Sequence, residues 1–228
     1  ENGNWLVRDR GQMVAAYHGY WTKDYFTIDE HFSDVGIFDY NIVRELSSKL
    51  HQKDIQVILD GVINHSNKVD EDLMGAVYEK GVYRTSYQED ILGWYHRFGP
   101  IVDLGDMGQL ENHDFANLGD FDQSIPSVHE YFKNAFSLWL DLGMDGFRLD
   151  TVKHVPLDYW KSFTNDVLAQ KPTSYLVGEY FLVDVPKNIS ESDIQKYYKI
   201  ENQTGMSVFD FQLRNAMIKV FVEGEGFS

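Results

Sequence analysis

Two short apolar runs that each end in an acid, Gly146-Phe147-Arg148-Leu149-Asp150 and Tyr175-Leu176-Val177-Gly178-Glu179, constrain this chain more than any other feature. An acid at the carboxyl end of a buried strand is costly unless it is paired or put to use. A helical pattern lies between the two runs, and strand-helix-strand alternation predicts a parallel sheet covered by helices. When such a sheet curls into a β/α barrel, the carboxyl ends of its strands form the catalytic face. Two neighbouring strands that offer one carboxylate each therefore read as an acid and nucleophile pair.

The same alternation extends in both directions. Ile42, Leu46 and Leu50 recur at helical spacing behind Asp39, a candidate N-terminal cap, and predict a helix before the first clear strand. The run Ile55 to Asp60 is too continuously apolar for a sheet with one wet face, so it predicts a parallel strand covered on both sides. Val128, Tyr131, Phe132, Ala135, Trp139 and Leu142 form one stripe behind Pro126, with Ser127 and Glu130 at capping-box spacing and Gly143 as the stop. A helix over about 157–168 places Trp160, Phe163 and Val167 inward, and Met206 to Phe211 followed by Leu213, Met217 and Val220 adds one more strand and helix. Residues 66–119 carry Tyr78, Tyr83, Tyr87, Trp94, Tyr95 and Phe98 without a steady period, which predicts an irregular lobe inserted at the barrel mouth.

Composition excludes partners more than it selects them. The net charge of −16 disfavours nucleic acid, and no run approaches the roughly 20 apolar residues of a membrane span. The absence of cysteine removes disulfides and thiolate metal sites. A neutral or cationic ligand suits this surface better.

Arg148 lies two residues before Asp150 and projects to the same face, where a guanidinium can hold that carboxylate ionised as a nucleophile. Glu179 on the next strand has its pKa raised by burial near a second carboxylate, as a proton donor requires. A separation of about 5 to 5.5 Å would mean a covalent glycosyl intermediate and retention of configuration. A single strand-end acid is more often a structural ion pair, but Asp60-Gly61-Val62-Ile63-Asn64-His65 adds a third polar cluster at a strand end, and Lys153 and His154 follow on the same rim.

Asp60 to His65, Gly146 to His154 and Gly178-Glu179, in that order, resemble three signatures of the α-amylase family, glycoside hydrolase family 13. Ala16-Tyr17-His18-Gly19-Tyr20-Trp21, Leu118-Gly119-Asp120-Phe121 and Glu179-Tyr180-Phe181-Leu182 are most similar to its cyclodextrin glucanotransferase and bacterial amylase subgroup. The resemblance covers nearly the whole chain. It implies an α/β fold, part of a TIM (β/α)8 barrel from about strand 3 to strand 6, with 1–65 and 120–228 as barrel segments and 66–119 as a domain B-like lobe.

It further implies Asp150 as nucleophile and Glu179 as general acid/base. Arg148 and His65 would contact the nucleophile and the sugar, with His18 beside them, and Tyr20 would stack on that sugar next to Trp21. Lys153, His154 and Phe181 would line the leaving-group side. A structural calcium would join lobe to barrel through side-chain oxygens of Asn64 and Asp120 and the backbone carbonyl of His154, all hard ligands, with a further carbonyl near Glu111.

The implied function is retaining hydrolysis of α-1,4-glucans such as starch and maltodextrins by a secreted, extracellular enzyme. Cyclising relatives resemble one another in a large aromatic residue where this chain has Ala116, and in another where it has Leu104, so linear hydrolysis is expected over cyclodextrin formation. The alternatives are a cyclodextrin glucanotransferase, an oligosaccharide-acting glucosidase and a non-catalytic relative acting as a binding subunit. The family's third catalytic Asp has no counterpart before Ser228, and its first strands have none after Glu1. The chain thus reads as an internal piece, inactive alone.

Overall fold

The computed structural model describes residues 2–3, 6–9, 12–15, 19–67, 74–181, 191–198 and 204–224. In chain order the elements are β1 (Asn2–Gly3), β2 (Leu6–Asp9), β3 (Gln12–Ala15), β4 (Thr22–Asp24), α1 (Asn41–His51), β5 (Ile58–Gly61), β6 (His65–Ser66), β7 (Val77–Glu79) and β8 (Val82–Thr85). There follow α2 (Met107–Asn112), β9 (Gly119–Asp120), α3 (Pro126–Asp141), β10 (Gly146–Leu149), α4 (Leu157–Gln170), β11 (Tyr175–Gly178), α5 (Glu191–Tyr198), β12 (Ser207–Val208) and α6 (Phe211–Phe221).

The site rests on a four-stranded parallel sheet of order β12-β11-β10-β5, an arc of a β/α barrel. Its register sets Arg148 beside Asp60 on one neighbour and Val177 on the other, and Leu149 beside Gly61 and Gly178. Helices α3 and α4 cover the outer face. Phe136 sits with its ring 4.7 Å from that of Phe147 and 4.9 Å from that of Phe163, both edge-on. Gly61 makes room for it, since a Cβ there would stand 2.5 Å from the Phe136 ring.

Three expectations are corrected. Ile55 and Ile58 are exposed because β5 is the outer strand of the arc, so the strand is not covered on both sides. Ile42 and Leu46 face outward for the same reason, and Ser47, bonded to the Leu142 carbonyl at 3.1 Å, holds α1 against the core instead. Asp39 accepts from the Asn41 amide at 3.0 Å but stands one position too early to be the cap, which is Tyr40 with no side-chain cap bond. Ser127 is no cap: α3 starts at Pro126, Ile125 supplies no side-chain cap bond, and Ser127 Oγ accepts from the Trp94 indole at 2.9 Å.

The inserted lobe is more regular than its sequence suggested. β7 and β8 form a hairpin around Lys80-Gly81, both at positive φ, and β7 adds to β4 in a second sheet of order β1-β4-β7-β8. Buried Asp24 on β4 pins that turn by accepting from the amides of Lys80 and Gly81. Among the described residues, no helix is long and apolar enough to cross a membrane.

Candidate active site

The carboxyl ends of β5, β10 and β11 are stitched together by backbone bonds just where the acids stand. Asp150 N donates to Gly61 O at 2.9 Å, Glu179 N to Leu149 O at 2.8 Å and Val152 N to Glu179 O at 3.1 Å. Thr151, at φ +50, then turns the chain out of the sheet into a tight helical turn over Val152–His154. Both acidic side chains are thereby fixed to a rigid edge rather than to a free loop.

Arg148 is the hub. Its Nη1 lies 2.7 Å from Asp60 Oδ1 and 2.7 Å from Asp150 Oδ1, and its Nη2 lies 2.5 Å from Glu179 Oε2. Tyr20 closes the ring by donating to Asp60 Oδ2 at 2.7 Å, with the guanidinium 5.5 Å from its ring centroid. Burial opposes the charge on Arg148, but the three carboxylates carry its pKa well above the ordinary value.

The two candidate catalytic acids differ in their surroundings. Burial lifts the Glu179 carboxyl, Arg148 pulls it back, and the charge of Asp150 lifts it again. The Tyr20 phenol is pushed up to about 12 by burial and by the adjacent Asp60 carboxylate.

A cleft of about 580 Å³ opens above this ring, lined by Tyr20, His65, Asp150, Lys153, His154, Glu179 and Phe181. Seven of the expected site residues thus converge, and Arg148 lies beneath them. Trp21 is half-buried and not part of the lining. His18 lies outside the described residues. Lys153 donates to the Phe181 carbonyl at 3.1 Å and so ties the turn after β10 to the segment after β11. His154 donates through Nδ1 to Leu110 O at 2.9 Å, and burial pushes its imidazole down to about 3, so the ring is neutral.

The sequence reading gave no role to Asp60, which the structure places at the centre of the Arg148 network. Its place at the end of an apolar run, in line with Asp150 and Glu179, was the available signal. Leu104, Phe115, Leu118 and Thr151 also line the cleft. The sequence marks Leu104 only as a position without an aromatic ring. Leu118 opens a motif that carries the resemblance but says nothing of the cleft, whereas Phe115 lies just before it and packs on His154 at 4.4 Å between ring centroids.

A second cluster lies behind the cleft. The Asn64 side-chain amide presents one atom 2.8 Å from the His154 carbonyl and 3.3 Å from Asp120 Oδ1. With oxygen in that position, three hard acceptors converge with no proton among them; with nitrogen there, the amide donates to both. Asp120 is almost fully buried, and burial pushes its carboxyl up to about 7 although His96 pulls it down. A buried carboxylate, an amide oxygen and a backbone carbonyl are donors that fit calcium. Among the described residues no group of three or more His, Cys, Asp or Glu side chains forms a metal site, so a cation here depends on that mixed oxygen set.

The sequence profile described as the alpha amylase catalytic domain matches residues 9–224. The chain belongs to the alpha-amylase family. It is 33% identical over 222 residues to the cyclomaltodextrin glucanotransferase of Klebsiella oxytoca, covering 93% of this chain and 33% of that protein. It is 31% identical over 232 residues to an alpha-amylase of Niallia circulans, covering 98% of this chain and 41% of that one. A solved cyclomaltodextrin glucanotransferase with a three-domain ABC distribution superposes with a TM-score of 0.86 at 34% identity, over 99% of this chain and 45% of that one. The chain thus spans about a third of the length of the Klebsiella relative. The parallel arc is part of the barrel of this family, whose members here are glycosidases and transglycosylases.

Proposed function

We propose that this alpha-amylase family chain carries the nucleophile and the general acid/base of a retaining enzyme that hydrolyses α-1,4-glucans such as starch and maltodextrins. The observation that carries the reading is Arg148 holding Asp60, Asp150 and Glu179 within 2.5 to 2.7 Å of one guanidinium. Membership of the alpha-amylase family supports retention over inversion, which a carboxyl separation of about 5 to 5.5 Å would accompany.

In the first step Asp150 attacks the anomeric carbon while Glu179 gives its proton to the departing glycosidic oxygen, and the bond between that oxygen and the anomeric carbon breaks. Glu179, now ionised, takes a proton from water, whose oxygen displaces Asp150 from the sugar and restores both acids. Tyr20 offers its ring to the sugar in the cleft, while Lys153, His154 and Phe181 receive the leaving portion. Asn64, Asp120 and the His154 carbonyl would hold a calcium ion that ties lobe to barrel and keeps the Asp120 carboxylate ionised.

Cyclisation by transglycosylation is the second reading, favoured by likeness to named glucanotransferases. Ala116 and Leu104 weigh against it, because neither offers an aromatic ring around which a glucan could curl. A polymeric glucan is met outside the cell, so an extracellular setting goes with either reading.

Residues 9–224 grafted in place of the matched segment of the Klebsiella glucanotransferase test the proposal. The graft is expected to cleave starch to linear products and to lose activity with Asp150→Asn or Glu179→Gln. Cyclodextrins as main product would overturn the hydrolase reading. Full activity in either variant would overturn the catalytic assignment. The 228-residue chain alone is expected to be inactive, since it supplies two of the family's three acids and leaves the arc open.

A further inference from the structure

His96 has no part in the cleft, yet it is almost buried against Asp120. Its Nδ1 lies 2.6 Å from Asp120 Oδ2 and its Nε2 lies 3.4 Å from Asp122 Oδ1. The backbone fixes this meeting. His96 N donates to Asp120 O at 3.2 Å, Asp122 N donates to Trp94 O at 2.7 Å, and Tyr95 pairs with Phe121 across an antiparallel bridge. The ring of Phe98 stacks on the imidazole at 6.1 Å and 22° and limits its tilt. His96 thus grips Asp120 through Oδ2, and the other oxygen, Oδ1, is the one that faces the Asn64 amide and the region of the His154 carbonyl.

We infer that His96 is a positioning residue for the cation site: by holding Oδ2 it makes Asp120 a one-oxygen ligand aimed at the point where Asn64 and the His154 carbonyl converge. The inference rests on the reading of that cluster as a calcium site. A carboxylate with both oxygens free could rotate or bind a cation through both; a donor on one oxygen removes that choice. Partners that orient a metal ligand in this way typically change metal affinity about 10- to 100-fold when removed. The clamp also couples lobe to barrel, since His96 lies in the lobe while Asn64 and His154 follow β5 and β10.

Calorimetric titration of Ca²⁺ into the chain tests this without any assay of activity, with melting in chelator showing that each variant is folded. His96→Leu is expected to bind calcium about 10- to 100-fold more weakly. His96→Asn, whose amide N–H reaches the place of Nδ1, is expected to recover most of that loss. Should His96→Leu fail to fold, His96→Gln, whose amide reaches instead the place of Nε2, takes its part and is expected to bind more weakly than His96→Asn. Equal affinity in the unsubstituted chain and in the folded Leu or Gln variant overturns the positioning role while leaving the cation site standing. No binding by the unsubstituted chain, with melting unmoved by calcium, overturns the cation reading and the positioning role with it.

Discussion

The Tyr20 hydroxyl and the Asp60 carboxylate meet at 2.7 Å at the mouth of the cleft, although 40 positions separate them in the chain. Asp60 thereby spends one oxygen on Tyr20 and the other on Arg148, so it sets both the ring that would receive a sugar and the guanidinium that orients the acids.

This makes Asp60 a positioning residue with a defined signature. In the Klebsiella graft, Asp60→Asn keeps the shape but weakens the charged bond to Arg148, and misplacement of the acids is expected to lower kcat about 100-fold. KM should move much less, because the cleft lining is intact. Steady-state kinetics on a soluble maltooligosaccharide decide it, and an unchanged kcat would show that Arg148 holds its place without Asp60.

The coupling between Asp150 and Glu179 predicts a titration shift. Arg148 lowers the Glu179 pKa, whereas the charge of Asp150 raises it. Asp150→Asn removes the negative charge and leaves Arg148 in place, so the Glu179 carboxyl is expected to titrate at lower pH than in the unsubstituted chain. Carbon NMR of labelled glutamate side chains, with Glu179→Gln to assign the signal, reads this directly. A rise, or no change, would mean that the two carboxyls do not sense each other.

Most of the site could be read from the sequence because it stands on strand ends, where chemistry and periodicity coincide. Asp150, Glu179, Arg148, His65, Lys153 and His154 all sit within a few residues of an apolar run, and the parallel register brings the runs together. The part that Phe115 and Leu118 take in the cleft was not legible, since both reach it from a lobe whose path follows from tertiary packing, although Leu118 opens a motif of the resemblance. The outward face of α1 was not legible for another reason. Ile42 and Leu46 have a helical stripe, but periodicity says only that a face is apolar, not what lies beside it, and here β5 is the outermost strand of the arc.

Asp120 predicts how stability changes with pH when calcium is withheld. Its folded-state pKa of about 7 lies above the unfolded value of about 3.9, so the folded chain binds the extra proton between those limits. Folding stability in chelator is therefore expected to fall as pH rises from about 4 to about 7. The paired His96, whose pKa is also raised, acts in the same direction, because its contribution is lost as pH rises through its folded value. Saturating calcium should abolish the decline by favouring the ionised carboxylate. Urea unfolding midpoints across this range, with and without calcium, provide the comparison; identical profiles would mean that no cation engages Asp120.

Gly146 opens the strand that carries Arg148, and the chain passes so close to β11 there that a Cβ would stand 1.8 Å from the Tyr175 carbonyl oxygen. That oxygen is backbone and cannot swing aside, so Gly146→Ala must part β10 from β11 at the start of their ladder. A loss of at least about 3 kcal/mol is expected, in the range reserved for overpacking and broken backbone pairing. Gly99→Ala is the matched control: it too has positive φ, but a Cβ there meets nothing within 4 Å. Its cost should stay near the roughly 1 kcal/mol of an unfavourable backbone conformation. Denaturant unfolding of both variants separates close approach from conformational preference, and equal losses would show that the contact with Tyr175 relaxes freely.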